Sequence, residues 1–199
     1  MTTKSRFIAI TVLLLLISTP FTLQASEITG KVRSTVDGVL VILKDQSLMV
    51  PEKKEERRGR LRNLILKRFS FKEMSKRSLA RYWRERSDAE KKEFVSLFSD
   101  LIENSYIEKI ERYTDEEILY VGEKSSDGRA VVKTVIISKG NEIPINYSLM
   151  KTENDWMVYD IVIEGVSLVS NYRSQFSSTI RTSSYKGLVE QLREKTGKQ

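Results

Sequence analysis

Three carboxylates, Asp155, Asp160 and Glu164, lie in or beside an apolar stretch near the carboxyl end of the chain. A carboxyl group that is buried in such a stretch can have a raised pKa and act as a general acid or base. The spacing of the three matches no ligand pattern for Ca²⁺ or a transition metal. The alternative is that Asp160 hydrogen-bonds to the backbone or pairs with an arginine such as Arg173. We favour this structural role and predict no catalytic residue, no metal site and no cofactor.

The 199 residues include no histidine and no cysteine, which removes several kinds of chemistry. Ser-His-Asp and Cys-His catalysis are excluded, as are zinc sites built from Cys and His. No disulfide can form, and the cysteine that carries the lipid of a bacterial lipoprotein is absent. The fold must therefore be held by buried apolar side chains, and hydrophobic residues make up 40% of the composition. We predict a protein that is not an enzyme.

The chain is basic, with a formal net charge of +7, and residues 51–112 hold 18 Lys or Arg against 12 Asp or Glu. Tyr82 and Trp83 stand among arginines in this segment, and basic residues interleaved with aromatic ones can bind single-stranded nucleic acid. Acidic residues alternate with the basic ones, however, so we favour a solvated helix face and expect no nucleic-acid partner. A basic face could instead contact anionic lipid headgroups or an acidic protein.

The amino-terminal segment has the pattern of a cleavable signal peptide. A short positive start is followed by an apolar run, residues 7–17, that is short for a membrane span. A small residue, Ala25, then offers a cleavage position. The alternative is an uncleaved anchor. We predict that residues 1–25 are removed and that residues 26–199 form a single domain in a bacterial periplasm.

The stretch from Trp156 to Phe176 organises the predicted fold. It begins as a strand that is apolar on both faces, which is typical of a strand covered on both sides. Gly165 breaks the pattern, and apolar residues at helical spacing follow. The strand thus leads into a helix that closes over an apolar interior, either ordinary core or a slot for lipid chains.

Apolar residues recur at helical spacing through residues 32–110, and Ser87 with Glu90 has the pattern of a capping box. From Glu117 the period changes to two, and short turns join the strands into an antiparallel meander. The predicted strands cover residues 118–123, 129–138, 143–150 and 156–164, and the closing helices cover residues 166–182 and 185–195. We predict an α+β fold in which N-terminal helices pack on a four-stranded antiparallel sheet, C-terminal helices close it, and an apolar cavity lies between.

Two long segments resemble the MlaC family of periplasmic phospholipid-binding proteins, also called toluene-tolerance auxiliary proteins. They are FSFKEMSKRSLARYWRERSDAEKKEFVSLFSDLIENSY at residues 69–106 and WMVYDIVIEGVSLVSNYRSQF at residues 156–176. The segment STVDGVLVILKD at residues 34–45 is similar to the first helix of that family. Ser70 and Ala80 depart from the family pattern, which often has Asp and Gly at these two positions.

The resemblance implies a soluble periplasmic carrier of phospholipid, which we expect to act as a monomer. Such a carrier moves lipid between an outer-membrane lipoprotein complex and an inner-membrane ABC transporter complex, and it maintains the lipid asymmetry of the outer membrane. Each buried methylene group is worth about 0.8 kcal/mol, so two acyl chains with roughly thirty methylenes would cost on the order of 20 kcal/mol to expose to water. The carrier therefore needs a dry slot but no catalytic group.

We predict that the acyl chains lie between the sheet and the long helices, with the headgroup at the mouth because an unpaired buried phosphate is costly. The candidate lining residues are Phe98, Ile102 and Tyr106 from the helix and Val132, Ile136, Tyr147, Leu149, Tyr159 and Ile161 from the sheet. Arg81 and Arg173 are candidates for contact with the headgroup. The alternative is a periplasmic adaptor that binds protein partners through its basic helices and carries no lipid. A large apolar cavity favours the carrier, and a closed core favours the adaptor.

Overall fold

The computed structural model describes residues 26–113 and 116–198, which include five α-helices and five β-strands. The helices are α1 Glu27–Lys44, α2 Lys54–Arg68, α3 Phe71–Leu79, α4 Asp88–Glu111 and α5 Leu168–Thr196; the strands are β1 Glu117–Ser126, β2 Arg129–Ser138, β3 Asn141–Lys151, β4 Trp156–Ile163 and β5 Val166–Ser167. The α+β prediction is confirmed. The predicted signal peptide at residues 1–25 lies outside the described residues.

The strands form one antiparallel sheet in the order of the sequence, which confirms the predicted meander and adds a fifth strand to it. This additional strand, β5, has two residues and pairs with the end of β4. Gly165 has a φ of 82° and makes the tight turn between them. Val132 lies opposite Tyr147, and Tyr147 lies opposite Ile161, so these side chains share one face. We call it the inner face because α1 packs on it.

Local sequence signals set the limits of the helices. α4 begins with the predicted capping box, in which the Ser87 hydroxyl accepts from the Glu90 amide and the Glu90 carboxylate accepts from the Ser87 amide. α5 runs from Leu168 to Thr196 but breaks at Ser184, whose φ of 66° and ψ of 172° are not helical. This break confirms the predicted division of the closing helix between residues 182 and 185.

Two apolar clusters are the largest among the described residues. The helical core lies between α3, α4 and α5 and is rich in aromatic side chains such as Phe98 and Phe176. The sheet core lies where Ile28 and Val32 of α1 cover the inner face. Phe69, between α2 and α3, packs against both cores. The helical layer and the sheet layer therefore have separate interiors that Phe69 connects.

Ala80 follows α3 in a strained backbone conformation. Its φ of 50° and ψ of −118° lie in a region that glycine populates easily and alanine does not. The resemblance described above implies a glycine at this position. The departure seen in the sequence therefore carries a cost in stability.

We expect Ala80→Gly to raise the free energy of unfolding by about 1 kcal/mol, because relief of strain outweighs the added chain entropy of glycine. Urea denaturation measures the difference. Ala89→Gly is the matched control, since Ala89 lies in the first turn of α4, where glycine should lower stability by about 0.5–1 kcal/mol. Equal or lower stability of Ala80→Gly would mean that the turn accommodates alanine without strain.

Asp155 forms ion pairs that connect α1 and α2 to the turn between β3 and β4. The Asp155 carboxylate contacts Lys31 of α1 at 2.6 Å and Arg68 of α2 at 2.9 Å, and it accepts from the Trp156 amide at 2.7 Å. The hydrogen bond from Lys31 is the main reason that the pKa of Asp155 falls from 3.8 to about 2. The stabilisation is therefore fully present above pH 3.8 and is lost as the pH falls through about 2.

We expect Asp155→Asn to lower the free energy of unfolding by about 1 kcal/mol at neutral pH, a value reduced for the partial exposure of these side chains. The difference from the unmutated protein should shrink as the pH is lowered from about 4 to about 2, because the unmutated chain then loses the same interaction. Chemical denaturation at neutral pH and at about pH 2.5 measures both values. A difference that stays constant would mean that the charge of Asp155 is not what stabilises the turn.

Candidate functional site

An apolar cavity of about 60 Å³ lies among α2, α3 and α4. Its wall consists mainly of aliphatic and aromatic side chains, and the lining residues are Arg62, Ile65, Leu66, Phe71, Ser99, Ile102, Glu103, Tyr106, Ile107 and Ile110. Two of the predicted lining residues, Ile102 and Tyr106, are among them. Pockets for small ligands usually measure about 300–1,000 Å³, so this cavity must expand before it can hold an acyl chain.

Arginine–carboxylate pairs hold α2 against α4 across this cavity. Arg57 and Arg58 contact Glu111 at 2.8 and 2.9 Å at one end, and Arg62 pairs with Asp100 at 2.8 Å and also with Glu103 at the other. Burial opposes ionisation of Glu111, but the hydrogen bonds from the two arginines lower its pKa, so the carboxylate stays charged. We call this boundary the α2–α4 seam. It is polar on the outside, and the apolar cavity lies beneath it.

The inner face of the sheet is divided into two halves. One half, with Ala130, Val132, Leu149 and Val158, is buried beneath α1 and Phe69. The other half carries isoleucines that the strand register places on the same face and that are only partly buried: Ile118, Ile136, Ile143, Ile145 and Ile163. This isoleucine half is apolar surface that the helices leave incompletely covered.

The nine predicted lining residues are distributed over both cores. Phe98 is fully buried in the helical core, and Ile102 and Tyr106 pack against that core. Val132 and Leu149 are fully buried in the sheet core, with Tyr147 and Ile161 packed against it. Two of the nine lie outside both cores. Ile136 lies in the isoleucine half of the sheet. Tyr159 is the extra residue of a β-bulge in β4, and the Arg77 guanidinium lies 4.1 Å from the centre of the Tyr159 ring. The structure thus does not gather the nine around one open slot.

The predicted headgroup residues lie away from the cavity wall. Arg81 is exposed and donates to the Tyr82 hydroxyl at 2.9 Å. Arg173 donates to the Arg77 carbonyl at 2.8 Å. Arg62, which the sequence analysis did not single out, is the cation in the lining.

Asp160 has a structural environment at the start of α5. Its carboxylate accepts from the Ser167 hydroxyl at 2.6 Å and from the Val169 amide at 3.0 Å. A carboxylate at this position satisfies an amide at the first turn of the helix and interacts favourably with the helix dipole. The predicted bond from Asp160 to the backbone is confirmed.

Two searches of the described residues give negative results. Within residues 26–113 and 116–198, no group of three or more Asp or Glu side chains is arranged to hold a metal ion. No helix in these same segments combines the length and the apolar character needed to cross a membrane.

Comparison with known proteins identifies a family and a solved structure with the same fold. A protein-family model described as MlaC protein matches residues 33–194. A solved structure of a phospholipid-binding protein from Ralstonia solanacearum, in complex with a phospholipid, superposes with a TM-score of 0.78 at 23% sequence identity. The alignment covers 86% of this chain and 98% of the Ralstonia chain, so the two share the same fold over nearly the whole of the latter.

Proposed function

This chain belongs to the MlaC family, and from that premise we propose that it binds a phospholipid and carries it between membranes. The observation that carries the proposal is the shared fold with a protein that holds a phospholipid, together with an apolar cavity and a partly covered apolar sheet face in this chain. The small volume of the cavity beneath the α2–α4 seam would by itself favour an adaptor. The family and the incompletely covered isoleucines favour a carrier in its closed form.

In the proposed complex, the acyl chains expand the cavity beneath the α2–α4 seam and extend onto the isoleucine half of the sheet. Ile102, Tyr106, Ile136 and Ile161 are partly buried, so part of each side chain is free to contact a guest. Phe98, Val132 and Leu149 are fully buried among protein neighbours, so a guest would reach them only after the cores separate. The headgroup stays at the surface, because burial of its phosphate would be costly.

The proposed route of the carrier runs through the periplasm, between an outer-membrane lipoprotein complex and an inner-membrane ABC transporter complex. Family membership supports this route, and the signal-peptide pattern of residues 1–25 supports export. The basic charge of the chain suits contact with anionic lipid or with acidic partner surfaces.

Native mass spectrometry of the protein purified from a bacterial periplasm tests the proposal. We expect a bound species whose mass and fragments identify a phospholipid with two acyl chains. Protein that is free of lipid under gentle conditions, and that takes up none from vesicles, would favour the adaptor instead.

Leu66 offers a sharper test because it lines the cavity yet is 43% exposed, so a charge there should not prevent folding. We expect Leu66→Asp to reduce bound phospholipid about fivefold or more, because an acyl chain in the cavity would displace water from the new carboxylate, which is costly. Leu119→Asp is the matched control: Leu119 is 39% exposed on β1, away from the cavity, and lipid occupancy should be unchanged. Equal occupancy in both variants would remove Leu66 from the site.

A further inference from the structure

Three residues with hydroxyl groups lie together on the inner face of the sheet, next to apolar side chains. Thr134 on β2 lies opposite Tyr120 on β1, and Tyr147 on β3 lies one cross-strand pair away. The Thr134 hydroxyl donates to the Ile145 carbonyl at 2.9 Å. We call Tyr120, Thr134 and Tyr147 the hydroxyl cluster.

The Tyr120 hydroxyl is the unsatisfied member of the cluster. Its oxygen is buried and has no hydrogen-bond partner. Burial raises the pKa of both Tyr120 and Tyr147, so each phenol keeps its proton at physiological pH and remains a donor. A buried donor without an acceptor is costly, and native structures rarely keep one that serves no purpose.

The charges around Tyr120 favour a neutral acceptor over an anionic one. The Arg33 guanidinium lies 4.0 Å from the centre of the Tyr120 ring, and Asp37, one turn further along α1, also acts on the phenol. A charge of each sign thus acts on the phenol, so charge alone does not select an anionic ligand. An uncharged oxygen suits the site.

The cluster lies on the border between the covered half of the inner face and the isoleucine half. Thr134 faces Ile145, and Tyr120 is two residues from Ile118 on the same face. Phe69 packs on the sheet core near β4, where it bridges to Val158, and is therefore remote from Tyr120 on β1. An acyl chain that lies on the isoleucine half would meet the cluster directly.

We propose that the hydroxyl cluster binds an ester carbonyl of the glycerolipid, with the Tyr120 hydroxyl as the donor. This inference rests on the proposed carrier function. An ester carbonyl is neutral, accepts hydrogen bonds and cannot donate them, and it sits where each acyl chain joins the glycerol. An ether-linked lipid lacks this carbonyl but has the same chains and headgroup, so the linkage alone distinguishes the two.

The experiment is native mass spectrometry of the protein purified from a bacterial periplasm, after incubation with vesicles that contain equal amounts of diester and diether phosphatidylglycerol with the same chain lengths. The two lipids differ in mass and are counted in one spectrum. We expect the unmutated protein to be enriched in the diester lipid by about threefold to tenfold, as one hydrogen bond allows. Tyr120→Phe should bind both lipids equally and keep its total occupancy, and its melting temperature should be equal or higher.

Tyr82→Phe is the matched control, because its phenol lies at the surface beside Arg81, and this variant should keep the preference for the diester. An unmutated protein without preference, or a Tyr120→Phe variant with unchanged preference, would overturn the carbonyl site while leaving the carrier function in place. Failure of the unmutated protein to bind either lipid would overturn the carrier function as well.

Discussion

Replacement of Phe98 with alanine is expected to lower the free energy of unfolding by about 3–5 kcal/mol. The Phe98 side chain is fully buried in the helical core. Its ring meets Tyr172 and Phe176 edge-on, with ring centres 5.1 and 5.4 Å away, and it stacks on Phe94. Alanine would leave a cavity among these rings and remove aromatic contacts that add to the effect of buried area. Urea denaturation of the lipid-free protein measures the change.

This substitution also separates two roles for Phe98. A residue of the filled core loses stability on truncation, and Phe98→Leu should then cost less than Phe98→Ala because leucine keeps most of the volume. If Phe98 lines the acyl-chain slot, its truncation to alanine would instead enlarge that slot. A loss below about 1 kcal/mol together with more bound lipid would return Phe98 to the lining, as the sequence predicts.

A covalent link across the α2–α4 seam is expected to slow phospholipid transfer between vesicles by about tenfold or more, because a cavity of about 60 Å³ must expand to accept an acyl chain. Arg58 and Glu111 are suitable positions, since their side chains meet at 2.9 Å. The chain has no cysteine, so Arg58→Cys with Glu111→Cys can be joined selectively by a short, cleavable bis-maleimide. Transfer of a fluorescent phospholipid should recover when the linker is cleaved.

The matched control links α4 to α5 on the surface, through Glu93→Cys and Arg193→Cys, which replace another ion pair outside the cavity wall. This link should leave the transfer rate unchanged. The two unlinked double variants correct for loss of the ion pairs themselves. Equal rates with and without the link across the seam would show that phospholipid reaches its site by another path.

The order and type of the elements could be predicted because local patterns determine them. The change from helical period to period two near Glu117, the capping box at Ser87 and the break near Ser184 all have counterparts in the structure. β5 was not predicted because Val166 and Ser167 form only two residues of strand, too few for a period, and they lead directly into α5. Their pairing depends on the turn at Gly165 and on β4.

The site was harder to predict, because core and lining residues have the same apolar pattern. Phe98 and Ile102 lie one turn apart on α4, yet Phe98 is enclosed by α5 and Ile102 lines the cavity beside α2. The difference arises from neighbours that are distant in sequence. Leu66 was missed because it follows Leu64 and Ile65 directly, and three adjacent aliphatic residues do not show by themselves which of them faces a cavity. The pairing of Arg62 with two carboxylates of α4 likewise depends on tertiary structure.

The arginine–carboxylate pairs along α2 and α4 have a consequence for the lipid-free form of the proposed carrier. Because they hold the two helices together, they limit how far water and other proteins reach the apolar wall of the cavity. If the protein is a carrier, these pairs would reduce aggregation of the lipid-free form between encounters with a membrane.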